Sequence, residues 1–483
     1  MVDPLPPVGG EGVHDAETQI EHPRDASFPL ERGMCLSYWL QGVRNNPLLD
    51  HRTTHILAES ADVVIIGSGM TGSLCALELL TSERPPQSVL LFEARELCSG
   101  ATGRNAGHCK PDTWRGFQKY SEAFGEDQAL KILANEQTTW ERVVAYVREH
   151  NVDCDLWVGK TLDVLMSPEV AEKAALTFSA FKAAGGDTKG IEAITVPAQA
   201  EKVSRIKGAR ATYAWEASTL YPWKLVAHIV RQALDLGLNL QTWTAVTSVT
   251  QSTEKPGQWV VSTSRGSIVT PTVIHATNAY AQALLPETNG IIRPTPHMCN
   301  KVIPPSSISG SKAIQNSYAV IYPTGQYTIN SRIESDGVLL FGGSAPNQHQ
   351  LMEYVAEDPN RRTDDSLIDF EPITQAVKDL ARDGFGWDTK EARGSAARYD
   401  YAWSGIIGRS ADQVPFVGAI PDKPGQWICA GHNGHGMARI FTAAPGLIKL
   451  MLGGGTDWAL TGLPECFQIT RKRLDGLRTP MRD

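Results

Sequence analysis

The chain is short of several things, and each shortage excludes a class of protein. No uninterrupted apolar run approaches the roughly 18 residues that a membrane-crossing helix needs, so no membrane partner is expected. There is no basic surplus: 45 Lys and Arg stand against 53 Asp and Glu, a formal charge of −8. That balance gives no electrostatic footprint for nucleic acid. Cysteines at 35, 75, 98, 109, 154, 299, 429 and 466 show no close paired spacing, which argues against a disulfide frame and for reduced thiols. Met1-Val-Asp-Pro-Leu-Pro-Pro7 has no basic region followed by an apolar core, and Met481-Arg-Asp483 is no peroxisomal tripeptide. A cytoplasmic location is the expectation that these leave. Internal repeats are lacking, and low complexity is confined to the amino-terminal tail.

What remains is an ordinary globular composition, 42% hydrophobic and 20% charged. At 483 residues, two intertwined domains are expected instead of one core. The most informative stretch is Ala61-Asp-Val-Val-Ile-Ile-Gly-Ser-Gly-Met-Thr-Gly72. Val63 to Ile66 is an uncharged, β-branched run with the composition of a parallel strand buried on both faces. It leads into Gly67, Gly69 and Gly72, then into a helical pattern with Met70, Leu74, Leu77 and Leu80 on one face. Pro85 and Pro86 close that helix. A second strand, Val89 to Phe92, ends at Glu93. Strand, glycine turn, helix and strand form a dinucleotide-binding βαβ unit.

Each residue type suits that task. Gly67 permits the tight turn, Gly69 lets a pyrophosphate approach the backbone, and Gly72 lets helix and strand pack closely. The helix start, at Met70 and Thr71, offers free N–H groups and partial positive charge. Glu93 is placed to accept hydrogen bonds from both hydroxyls of an adenosine ribose, and it would repel a 2′-phosphate, which argues against NADP.

Further along, residues 1 to about 30 read as a poorly ordered tail, and Ser37–Leu40 with Pro47–Asp50 as a strap docked on the body. Cys98 to His108 is a loop of glycine and small residues. Gly125 to His150 reads as an amphipathic helix with Leu130, Leu133, Trp140, Val144 and Val147 inward. A strand over 162–166 and helices over 170–184 and 223–236 are expected. So are a strand over 239–247, a hairpin from 258 to 270, and strands from 272, over 319–330 and over 337–343. Residues 347–394 are charged and partly helical. Cys429, His432 and His435 fall at metal-like spacing, but Trp427 to Ala430 reads as a buried strand and no fourth ligand is in view. No metal site is expected.

Together these blocks resemble the D-amino-acid oxidase-like family of FAD-dependent oxidoreductases, most closely its γ-glutamylputrescine, sarcosine and fructosyl-amine oxidase branch. The likeness is carried by Gly67-Ser-Gly-Met-Thr-Gly72 with Glu93, by Gly100 to His108, by Ala276-Thr-Asn-Ala279, and by Asp412 to Gly418 with Gly431 to Met437. It implies an α/β fold: a Rossmann-like FAD-binding domain assembled from 58–112, 211–290 and 395–455, beside a mainly antiparallel substrate domain from 113–210 and 291–394. Residues 1–57 would be tail and strap, and 456–483 a carboxy-terminal tail. The implied FAD lies extended, its adenosine at Glu93, Ala94, Arg95 and Val246 and its pyrophosphate over Gly67 to Gly72. The flavin ring would rest on Ala101, Thr102, Arg104, Asn105, Ala106, Gly107 and His108, near Ala276, Thr277, Asn278 and Gly405. Gly434, His435, Gly436 and Met437, with His432, would open a helix against the pyrimidine edge and favour the anionic reduced flavin.

The resemblance implies hydride transfer from a carbon bearing an amine nitrogen to flavin N5, with dioxygen as acceptor and peroxide as product. Oxidation of a 2-hydroxy acid and a flavin-binding role without redox turnover remain open. Arg104 beside the ring reads either as a cation serving reduced flavin or dioxygen, or as a tie to a carboxylate. His432 and His435 read as proton donors, oxyanion partners, caps or packing. Tyr327 reads as a substrate-facing phenol or a core aromatic. Two features depart from sarcosine-type relatives. Trp403 to Ser410 lacks the flavin-tethering Cys, leaving Cys98, His108 and Cys109 as other routes to a covalent link. Phe341-Gly-Gly-Ser344 lacks the Lys tied to oxygen activation.

Overall fold

The computed structural model of the chain describes residues 27–386 and 398–478. Most of the expected tail, the end of the 347–394 stretch and the last five residues lie outside that range.

Val63–Ile66 and Val89–Phe92 are buried at every position, as strands covered on both faces must be. They lie at the middle of a six-stranded sheet in the order Phe416–Ala419, Gln426–Ala430, Thr272–His275, Val63–Ile66, Val89–Phe92, Asn239–Gln241. Neighbours run parallel except the first pair. Met70–Leu80 packs between the helices Ile440–Leu452 and Pro222–Asp235, so this α/β layer agrees with the fold class expected.

A nine-stranded, mostly antiparallel sheet stands beside it. Its order is Arg398–Ser410, Ile292–Ile303, Leu339–Gly342, Gly325–Asn330, Ser317–Tyr322, Trp157–Leu165, Ala211–Thr219, His108–Cys109, with Glu192–Ile194 paired to Ala211–Thr219. One junction, Ser317–Tyr322 with Trp157–Leu165, is parallel.

Three readings from the sequence need correction. Ala211–Thr219 and Arg398–Ser410, assigned above to FAD-binding segments, hydrogen-bond into this larger sheet. The strand expected over 239–247 ends at Gln241, because Trp243 N and Thr244 N are drawn onto Arg95 O and Glu93 O and Trp243 takes φ +51°. The chain re-enters at Val246 in a separate three-stranded sheet. Ile292–Ile303 was not foreseen as a strand because it holds Pro294 and Pro296. Both prolines pair only with the Arg398–Ser410 side, since the other neighbour, Leu339–Gly342, begins its pairing at Asn300. An edge tolerates the missing N–H.

The strap is integral to the body. Ser37 caps the short helix Tyr38–Gln41, Trp39 and Leu40 are fully buried, and Ser37 Oγ and Trp39 Nε1 donate to Gly103 O and Asn105 O. The long helix Glu126–Glu149 buries Leu133, Trp140, Val144 and Val147, with Leu130 half-buried against them. Among the described residues, no helix is long and apolar enough to cross a membrane.

Candidate functional site

The glycine turn shows why no other residue serves there. Gly67 has φ +105°, and a Cβ on it would meet Ala276 O at 2.7 Å. A Cβ on Gly72 would lie 1.9 Å from Gly67 O, so helix and turn touch backbone to backbone. Gly69 caps the helix with no side-chain hydrogen bond, and the nearest atom to its would-be Cβ is Thr102 Oγ1 at 3.3 Å. The helix start therefore opens on a cavity, with Met70 N donating to Thr102 Oγ1 at 3.2 Å. At the end of the next strand, Glu93 Oε2 accepts from Ser68 N and Ser68 Oγ at 3.0 and 2.7 Å, and Oε1 accepts from Arg95 N at 3.1 Å. A helix N-terminus and a fixed carboxylate thus border one cavity of about 420 Å³, walled by both large sheets. That cradle fits a diphosphate-linked dinucleotide.

Every cofactor-facing residue expected from the sequence lines this cavity except Gly72 and Gly107. Gly72 supports the turn from behind. Gly107 (φ +83°) lies under the strap, where a Cβ would meet Trp39 Cζ2 at 2.7 Å. Asn278 (φ +44°) ties two expected blocks together, its Oδ1 accepting from Gly431 N and His432 N at 3.1 and 3.3 Å.

Two catalytic candidates change meaning. Arg104 is buried with its Nε 3.3 Å from Asp365 Oδ2, and it donates to the carbonyls of Ser99, Ser404 and Cys35. Its guanidinium holds the loop, the strap and the Arg398–Ser410 strand together, which is the carboxylate-tie reading. Tyr327 is 3% exposed in the hydrophobic core and does not line the cavity, whereas Gln326 and Thr328 on either side do. Strand alternation points its ring the other way. Among the other routes to a covalent flavin, Cys98 and Cys109 do not line the cavity, and the Cys109 thiol donates to Met437 O. His108 does line it, with a buried Nε2 that has no hydrogen-bond partner among the described residues.

The remaining wall carries charge that the sequence reading missed. Lys110, Asp112 and Arg115 line it. Asp163 behind them pairs with Lys110 at 2.5 Å and Arg115 at 3.4 Å, and Asp112 with Arg115 at 2.5 Å. Despite its burial, the Asp112 carboxyl is held far below the usual range by Arg115. Deeper, Glu136 accepts from Asp112 N at 2.8 Å and pairs with Arg439 at 2.9 Å. Asp112, Glu136 and His435 each offer an atom within 4.8 Å of the others, a ligand-like trio in which Asp112 also pairs with Arg115 and Glu136 with Arg439. Of the Cys429, His432 and His435 spacing, Cys429 Sγ lies 3.9 Å from His432 Nε2, whereas His435 Nδ1 lies 3.7 Å from Glu136 Oε1.

Arg409 stands apart. It lines the cavity half-buried, with no carboxylate in ion-pair range among the described residues and only Ser344 Oγ at 3.4 Å from its Nη2. His297 Nδ1 nearby is buried, with no hydrogen-bond partner among the described residues. Burial and the Arg409 charge push that imidazole down to about 4. Arg409 sits three residues before Asp412, inside a block already singled out, but nothing in the sequence showed that it would lack a partner.

Comparison with known proteins agrees with this layout. The family described as FAD dependent oxidoreductase matches residues 62–450. The probable oxidoreductase OrdL of Rhizobium meliloti is 25% identical over 412 residues, 83% of this chain and 85% of its own. The gamma-glutamylputrescine oxidoreductase of Escherichia coli is 22% identical over 419 residues, 84% and 87% of the two chains. Among solved structures, glycine oxidase from Geobacillus kaustophilus superposes with a TM-score of 0.61 at 19% identity, covering 86% of this chain and 99% of its own. L-amino acid deaminase from Proteus vulgaris gives 0.64 at 16%, covering 88% and 97%.

Proposed function

On the premise that this chain belongs to the family of FAD-dependent oxidoreductases, we propose that it oxidises the C–N bond of an amine that also carries a carboxylate, with dioxygen as acceptor. The observation that carries the reading is Arg409, a half-buried cation that faces the cavity and has no carboxylate in ion-pair range among the described residues. A buried charge of this kind is costly unless a ligand supplies its partner. The amine class rests on the relatives whose names specify amines or amino acids, gamma-glutamylputrescine oxidoreductase and glycine oxidase among them.

The residues divide the work. Gly67 to Thr71 would hold the pyrophosphate, Glu93 the adenosine ribose, and the 101–108 loop with the turn at Gly434–Met437 the flavin ring. Bound FAD would supply the redox chemistry, a two-electron oxidation of the C–N bond with dioxygen as the final acceptor. The chain supplies position. Arg409, with Ser344 Oγ beside it, would fix the carboxylate and so aim the amine carbon at the ring.

The test uses the purified yellow holoprotein without oxygen. N-methylglycine, proline and 4-aminobutanoate are offered beside 1-aminobutane, which lacks a carboxylate, and lactate, which lacks the amine. Bleaching of the flavin by a carboxylated amine, with peroxide on readmission of air, is the expected result. Bleaching by lactate alone, or by none of them, overturns the proposal.

A further inference from the structure

Four histidines line the cavity: His108, His297, His432 and His435. Three are unsuited to take up a proton. Burial and the charge of Lys110 push His108 down to about 4, burial and Arg409 push His297 to about 4, and burial and Arg439 push His432 to about 3. Each of these three has a cation as its main charged neighbour. His435 is the exception.

The ring of His435 makes no hydrogen bond among the described residues, and its side chain is 27% exposed. Nδ1 lies 3.7 Å from Glu136 Oε1, and Asp112 offers an oxygen within the same 4.8 Å group. The charges around it come from every element packed on it: Asp112 and Arg115 from the segment after the His108–Cys109 strand, Glu136 from the long helix, and Arg439 on its own carboxy-terminal side. Arg115 is occupied by Asp112 and Asp163, and Arg439 by Glu136 and Tyr120. Burial draws His435 below its ordinary value while Asp112 and Glu136 draw it back up.

We infer that His435 takes the proton from the substrate ammonium before the C–N bond is oxidised. This inference rests on the amine reading given above. An amine arrives in water as its ammonium, whose nitrogen has no free pair to assist the departing hydride. In the step inferred, one N–H bond of the ammonium breaks, its electron pair stays on nitrogen, and the proton bonds to an imidazole nitrogen. The imidazolium then lies against Glu136 and Asp112, which stabilise its charge. No oxidant or reductant enters this step.

The experiment follows anaerobic flavin reduction in the holoenzyme against pH, with the panel amine that bleaches fastest. In the wild type the rate should rise with pH through a midpoint below about 6.5, where His435 becomes neutral. His435→Asn should reduce the flavin roughly 100-fold more slowly at neutral pH. Its rate should recover only towards pH 10 or so, the range in which an aliphatic ammonium loses its own proton. A wild-type midpoint retained in His435→Asn overturns the inference while leaving the amine reading intact; absence of bleaching by any amine overturns the amine reading itself. A second readout needs no turnover. In histidine-labelled holoprotein, the ring signal missing from His435→Asn should titrate at lower pH in Glu136→Gln or Asp112→Asn. A midpoint unmoved in both variants overturns the inference as well.

Discussion

Arg104 Nε and Asp365 Oδ2 lie 3.3 Å apart with both side chains 1% exposed, and Asp365 Oδ1 also holds Arg95 Nη1 at 3.0 Å. One buried carboxylate thus ties Arg95, ahead of the cavity-lining loop, to Arg104 within it. Removing it would leave two guanidinium groups out of water without an anion. Asp365→Ala should cost about 3–5 kcal/mol, read as a lower urea midpoint for the holoprotein. In a cycle of Arg104→Gln, Asp365→Asn and the double variant, the two single losses should exceed their joint loss by about 1 kcal/mol or more. Additive losses would show that the pair contributes nothing as a pair.

Gly69 and Gly72 look alike in sequence and should fail differently. Gly69 has φ −66°, open to alanine, and its Cβ would meet only Thr102 Oγ1 at 3.3 Å. Gly69→Ala should keep the stability of the flavin-free protein within about 0.5 kcal/mol yet weaken FAD retention at least about tenfold, because the methyl stands where the phosphates approach. Gly72→Ala sets a methyl 1.9 Å from a backbone oxygen and should destabilise the fold itself by about 3 kcal/mol or more. Equal flavin affinity in Gly69→Ala and wild type would remove the pyrophosphate from this turn.

These contrasts show what a sequence can reveal. The glycine turn, its buried strands and the helix after it were legible because their demands are local: an apolar run, a period of 3.6, a backbone that admits no Cβ. Tyr327 was ambiguous because one residue of strand register decides whether Gln326 or its neighbour faces the cavity. The role of Arg104 depended on Asp365, and that of Arg409 on the lack of any such partner. Both facts exist only once distant segments are brought together. The prolines of Ile292–Ile303 concealed a strand that edge placement allows.

Arg409→Gln tests the carboxylate anchor directly. A charge-assisted hydrogen bond contributes about 1.5–3 kcal/mol, so the half-saturating concentration of a carboxylated amine should rise roughly 10- to 100-fold. The limiting rate of flavin reduction should change far less, and reduction by 1-aminobutane should stay as it was. Equal losses for both amines would mean that Arg409 shapes the site without binding the carboxylate.

His275 offers a pH test away from the cavity. It is fully buried on the strand Thr272–His275, with Nε2 2.8 Å from Gln426 Oε1 and Nδ1 without a hydrogen-bond partner among the described residues. Burial pushes the imidazole down to about 4, whereas in the unfolded chain it titrates near its ordinary value of about 6.5. Above 6.5 both states hold it neutral and pH has no effect through this group. Between 6.5 and 4 the unfolded chain binds the proton and the folded one does not, so stability falls as the solution is acidified, by about 1.4 kcal/mol per unit. Below 4 both states are protonated and the loss levels off. His275→Gln keeps a polar group opposite Gln426 but cannot titrate. Its urea midpoint should lie below that of the wild type at pH 7.5, and the gap should close on the way to pH 4.5. Curves that stay parallel over that interval would show that His275 takes up its proton equally well in the folded protein.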